Sequence, residues 1–321
     1  MKRIVLILLA AVLICLCSCE LSVKAPEPGK MHILVYGNDY TYGSRVYYED
    51  GTYAGKAGVL KGTVNDAYQV GMALCTLAGK AGYDYDGIFM LGMESRSGVT
   101  DPNVTVVNNV YKSGLIGIME AMAADYSDSD ITIIYYSGHG LGDTKELAYG
   151  SDPSEQSYLA LRQDPDLHSS ILYPISYFLA RVDAIPGIKV ILGDFCHSGA
   201  MVRQGNVSVT SGEYLGIDAP SLLANYSSDI KESPSVFCLS AARYNERSWE
   251  PGDGSHGYFT NALLAALGWD EENGRLTTPA ALDGNRLTLF NIARYVTDND
   301  GTAKQTPMTS GGSNDIILFS F

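Results

Sequence analysis

Ile188-Lys189-Val190-Ile191-Leu192-Gly193-Asp194-Phe195-Cys196-His197-Ser198-Gly199-Ala200 is the stretch that decides the fold of this chain. Residues 188–192 are apolar except for Lys189, the pattern of a short strand buried on both faces. Gly193 ends the run, and an acid and a thiol then leave the strand at its carboxyl end. In an open parallel sheet that end is where ligands bind. Ile131-Thr132-Ile133-Ile134-Tyr135-Tyr136 has the same design and runs into Ser137-Gly138-His139-Gly140. If these two strands are neighbours, a cysteine and a histidine meet at one edge of a sheet.

Outward from this pair, apolar runs at residues 31–36, 87–91, 236–240 and 316–319 predict further strands. Helical patterns alternate with them: 62–77, a helix ending near 124, 174–184, 258–267 and 287–296. Such alternation predicts an α/β fold around a mostly parallel six-stranded sheet. A Tyr/Gly-rich loop to Gly58 follows the first strand. Residues 140–173 are loop-rich, with a short strand expected at 158–161, and residues 202–233 are polar without periodicity.

The N-terminus is expected to lie outside the fold. Lys2-Arg3 precede an apolar stretch, residues 4–14, that is too short to span a bilayer as a helix. Leu16-Cys17-Ser18-Cys19 resembles the lipobox of bacterial lipoproteins. That resemblance implies a signal peptide over residues 1–18, lipidation of Cys19, and a polar tether over 19–30. The location it implies is the bacterial cell envelope, outside the cytoplasm, held to a membrane by lipid.

The 22 basic residues face 36 acidic ones, a net charge of −14. This excess argues against nucleic acid or anionic lipid surfaces as partners and suits cationic peptides. Of six cysteines, Cys15 and Cys17 leave with the signal and Cys19 carries the lipid, so Cys75, Cys196 and Cys238 remain. An odd number in an exported chain makes a poor disulfide framework. Cys75 and Cys238 sit in apolar runs as core residues, whereas Cys196 is flanked by polar ones.

A thiol near its ordinary pKa is protonated at neutral pH, so a reactive cysteine needs a base or a positive neighbour. His197 is adjacent, but neighbours on extended chain point to opposite faces. His139 precedes Cys196 by about 57 residues, enough for a crossover that returns the chain beside it; caspases have a comparable spacing.

Tyr136-Ser137-Gly138-His139-Gly140 and Asp194-Phe195-Cys196-His197-Ser198-Gly199 resemble the two active-site motifs of caspase-like cysteine peptidases, the metacaspase branch in particular. Leu60-Lys61-Gly62-Thr63-Val64-Asn65-Asp66-Ala67, His256-Gly257-Tyr258-Phe259-Thr260-Asn261-Ala262-Leu263 and Gln305-Thr306-Pro307 match in family order. The resemblance covers residues 31–321 and implies a caspase-like α/β/α sandwich. Its large-subunit-like part runs to about residue 203 and its small-subunit-like part from about 232. It further implies Cys196 as nucleophile, His139 as general acid and base, and the N–H groups of Gly140 and Cys196 as an oxyanion hole. The substrate pocket it implies is acidic, formed by Asp66, Asp194, Ser137 and Thr63, and accepts Arg or Lys.

Caspases that cleave after Asp carry glutamine two residues before the cysteine, where this chain has Asp194. They carry arginine two residues before the glycine of the Gly62 motif, where this chain has Leu60. Basic specificity follows, with membrane attachment through lipid and no nucleic acid as partner. No cofactor is expected, and neither zinc spacing nor a counterpart of the metacaspase calcium site is present in the sequence. Self-cleavage, if it occurs, is expected after Arg203 or Lys231.

Each pocket residue also has a purely structural reading: Asp66 as a first-turn helix acid, Asp194 as a turn cap, Thr63 as a helix cap and Ser137 as a loop hydroxyl. His32, His168 and His256 are taken as structural or solvated. Two other readings compete with a peptidase. One is a catalytically silent peptide-binding module on the same fold. The other is an α/β-hydrolase with His256 as base, which Asp194 disfavours because it stands where that fold needs a small residue.

Overall fold

The computed structural model describes residues 29–40, 42–92, 99–108, 110–142, 153–163, 168–203, 208–210, 236–310 and 316–321. Cys19, the tether up to residue 28 and Lys231 lie outside them. Among the described residues, no helix is long and apolar enough to cross a membrane.

Six strands form a parallel core: β1 (Met31–Gly37), β4 (Tyr85–Leu91), β5 (Val104–Val107), β6 (Ile131–Ser137), β10 (Ile188–Asp194) and β12 (Val236–Ser240). Among the described residues, with β11 (Ser208–Thr210) and β16 (Met308–Ser310), the sheet has eight strands in the order β11-β16-β12-β10-β6-β1-β4-β5. β16, antiparallel to β12, and β11, antiparallel to β16, complete one edge. The chain enters at β1, builds outward to β5, then returns across β1 to lay down β6, β10 and β12. The β1–β6 boundary is therefore a switch point, where flanking connections leave in opposite directions and open a crevice at the carboxyl ends.

Alternation across the strands splits the core into two layers. Ile33, Val35, Ile133, Tyr135, Val190 and Leu192 face α1 (Thr63–Lys80), α5 (Tyr258–Leu267) and α6 (Leu289–Asn299). Leu34, Tyr36, Ile134, Tyr136 and Ile191 face α2 (Lys112–Asp125) and α3 (Ile175–Asp183). The result is the expected α/β/α sandwich. On α1, Val70, Leu74 and Leu77 recur at helical spacing and are wholly buried.

Two expectations about the strands are corrected. The C-terminal run does not close the main sheet: β17 (Ile317–Ser320) pairs antiparallel with β15 (Arg286–Thr288) in a separate ribbon. Its place among the six parallel strands belongs to β5, in a segment expected to open the helix that ends near residue 124. The strand expected at 158–161 is present, and it joins described segments expected as loops, around 44–57, 140–142 and 169–174, in a second sheet. Its order is β3 (Tyr53–Ala57), β2 (Ser44–Tyr47), β9 (Ser169–Pro174), β8 (Ser157–Arg162) and β7 (Gly140–Gly142).

Candidate active site

β6 and β10 are hydrogen-bonded neighbours, and their register ends with Asp194 opposite Ser137. His139 lies two residues beyond one strand end and Cys196 two beyond the other. One cavity of about 90 Å³ is lined by Thr63, Asp66, Ser137, His139, Asp194 and Cys196, together with Ser248, Trp249 and Glu250. The sequence-predicted side chains therefore converge. Gly140 sits beside the cavity, against the backbone of Cys196, where a Cβ would lie 2.0 Å from the Cys196 carbonyl oxygen.

The turn after β10 is sharp. His197 has φ 65°, the left-handed region, which costs a non-glycine residue about 1–2 kcal/mol. It is held there by its amide donating to Glu246 O and its ring Nδ1 bonding to Tyr244 O, each at 2.8 Å. This swings Cys196 towards the cavity while the His197 ring is committed elsewhere. His139 stacks edge-on against Tyr40 at 4.6 Å. Its Nε2 lies 2.8 Å from the carbonyl oxygen of Gly58, which can only accept, so Nε2 carries a hydrogen and Nδ1 of the neutral ring keeps the lone pair. Burial lowers the His139 pKa, against the pull of the Gly58 bond, and keeps the ring neutral.

The three cysteines differ as expected from their surroundings. Burial pushes the Cys238 thiol up to about 12 and that of Cys75 higher still. Cys196 is only partly buried. Its pKa is also raised, mainly by burial, opposed by a backbone hydrogen bond from Ser248 and by the charge of Arg247, and its Sγ lies 3.7 Å from the Ser248 carbonyl oxygen. It rests as a thiol in need of a base.

Asp66 and Asp194 form the acidic wall, and both are almost fully buried. Asp194 Oδ1 accepts from Ser248 Oγ at 2.5 Å, and Oδ2 accepts from Thr260 N and Oγ1 at 3.2 and 2.6 Å. Burial and the charge of Asp66 raise its pKa to about 6. Gly257 passes so close that a Cβ there would lie 2.2 Å from Asp194 Oδ2, so glycine is required. Asp66 Oδ2 accepts from Ser137 Oγ at 2.8 Å, and Oδ1 lies 2.7 Å from His256 Nδ1. Burial raises the Asp66 pKa, countered by His256.

Thr63 begins α1 and donates its hydroxyl to the Asn38 carbonyl at 2.5 Å, and Gly62, rather than Thr63, is the cap residue. His256, expected to be structural or solvated, is a buried bridge from Asp66 to Glu271, whose Oε2 is 2.7 Å from Nε2. Burial works against its protonation, but the two carboxylates outweigh it and raise its pKa. Both its nitrogens are spent there, which leaves it no part as a base for Cys196.

Ser248, Trp249 and Glu250 were not predicted. They follow β12 in a segment without periodicity, and their one sequence signal is an aromatic residue beside an acid just past a strand's carboxyl end. Lys304 Nζ lies 4.5 Å from the Trp249 ring centroid at the mouth of the cavity. No cluster of metal-ligating side chains occurs among the described residues.

The caspase domain family matches residues 47–312, most of the chain. The chain belongs to the caspase family. It thereby falls among the cysteine peptidases. It is 27% identical over 173 residues to metacaspase-1 of Candida glabrata, a match spanning 50% of this chain and 38% of that one. The caspase-like chain thus spans well under half of that relative. Among solved structures it is similar to caspase-1 from Spodoptera frugiperda, at 14% identity and a TM-score of 0.45, over 88% of this chain and 86% of that one. A protein from Geobacter sulfurreducens matches at 16% identity and a TM-score of 0.45, covering 87% and 92%.

Proposed function

We propose that the chain is a cysteine endopeptidase that cleaves after Arg or Lys and works in the bacterial cell envelope, tethered through lipid on Cys19. The observation that carries this reading is one cavity lined by a partly buried thiol, a tautomer-fixed histidine and carboxylates. In the reaction, His139 Nδ1 takes the proton of the Cys196 thiol as sulfur attacks the scissile carbonyl. His139 then returns that proton to the leaving amine, and water releases the acyl group from sulfur. The N–H groups of Gly140 and Cys196 are assigned to the oxyanion, which develops only in the transition state. Asp66 and Asp194 make the cavity negative, which favours a cationic side chain before the scissile bond and disfavours an acidic one.

A peptidyl electrophile bearing arginine tests this against the silent binding module. Peptide mapping of the full chain should place the adduct on Cys196. An inert scaffold leaves Cys196 no more reactive than Cys238.

A further inference from the structure

We propose that Glu250, rather than Asp66 or Asp194, makes the direct ion pair with the substrate cation; this names the specificity residue of the peptidase proposed above and rests on that reading. All three carboxylates line the cavity. They differ in how much of their hydrogen-bonding capacity is already spent.

Asp66 has His256 on one oxygen and Ser137 on the other, at 2.7 and 2.8 Å. Its charge already faces a buried imidazole held between two carboxylates. Asp194 accepts three bonds, from Ser248 and Thr260, and is hemmed in by Gly257. A substrate cation that drew either carboxylate away would strand buried donors, a costly exchange. These aspartates set the potential of the cavity and fix its wall.

Glu250 is placed differently. It is half-buried at the rim, and its two oxygens accept only long bonds, 3.4 Å each, from the amides of Lys61 and Gly62. It has no ion pair among the described residues. Its pKa is raised, mainly by burial and further by the charge of Asp194, against the Lys61 and Gly62 amides and the charge of Lys61, so repulsion among the three carboxylates that line the cavity is only partly offset by the cations around it. A guanidinium or ammonium between Glu250 and the wall relieves that repulsion, while Leu60 and Trp249 cover the aliphatic stem. The glutamate arm has one more rotatable bond than an aspartate and gives up only two weak contacts to reach inward.

The test uses the full chain and three reagents acting on Cys196: a peptidyl-arginyl chloromethyl ketone, its neutral citrulline analogue, and iodoacetamide. Glu250→Gln should slow the arginyl reagent by about tenfold or more and leave the other two rates near those of the unmutated protein. Glu250→Asp should recover part of the loss, and Glu250→Ala should repeat it if Glu250→Gln alters melting. An undiminished preference for arginyl over citrulline in both Glu250→Gln and Glu250→Ala would overturn the assignment while leaving the peptidase reading intact. If neither peptidyl reagent modifies Cys196 of the unmutated protein, both readings fall together.

Discussion

Gly140 meets the carbonyl oxygen of Cys196 with no space for a side chain: a Cβ would lie 2.0 Å from that oxygen and 2.5 Å from the Phe195 ring. One glycine thus locks the histidine turn against the cysteine turn. Gly140→Ala should force the two turns apart, lowering stability by about 1–3 kcal/mol. It should also slow modification of Cys196 by a peptidyl electrophile far more than modification by iodoacetamide. Thermal melts and the two labelling rates measure this, and an unchanged ratio of rates would separate Gly140 from the geometry of the site.

Asp194 gives the cavity a pH dependence. Its folded pKa is raised to about 6, so its contribution to stability is fully present below the ordinary carboxylate value and is lost as pH rises through about 6. The unmutated protein should therefore gain melting temperature relative to Asp194→Asn as pH falls from 7 to 5. Recognition of cations runs the other way, because the neutral carboxyl no longer attracts them. The preference for an arginyl over a citrulline substrate should shrink over the same range, and less so in Asp194→Asn.

His256 and Asp66 form a buried pair, so removing one partner is costly. His256→Gln should destabilise the fold by about 3–5 kcal/mol, measured by denaturant unfolding. The His256 pKa is raised, so the stability it contributes is present below its ordinary value of about 6.5 and is lost as pH rises through the raised one. The gap between the two proteins should accordingly be wider at pH 6 than at pH 9.

What the sequence disclosed follows from how strongly each element is patterned. β6 and β10 are continuous apolar runs because both faces are covered by helices, and their ends carry the motifs; both were legible. β5 is only Val104–Val107, at a sheet edge, and lies so close before the helix beginning at Lys112 that its apolar residues read as part of that helix. β2 exposes three of its four residues to some degree, with Val46 alone buried, so it offers almost no alternation. The C-terminal strand was legible as a strand but not in its pairing, which depends on where β15 lies. In the site, Cys196, His139, Asp66 and Asp194 stood in motifs. Ser248 and Glu250 stand in an unpatterned loop, and only folding brings them to the strand ends. His256 was named, but its bridge between Asp66 and Glu271 joins residues far apart in sequence.

The proposed attachment to a membrane is tested separately from the chemistry. A lipidated N-terminal cysteine brings two or three acyl chains where a single chain binds only marginally. The mature protein should fractionate with membranes and leave them only with detergent, and Cys19→Ser should be released or keep its leader. Processed wild-type protein that is soluble without detergent would contradict the tether.

The most direct measurement is the cleavage of a mixed peptide library by the unmutated full chain beside Cys196→Ala, read by mass spectrometry. The unmutated chain should produce new C-termini ending in Arg or Lys, and Cys196→Ala, whose fold should be intact by melting, should produce none. Equal cleavage by Cys196→Ala, or cleavage by the unmutated chain with no preference for basic residues, would contradict the account.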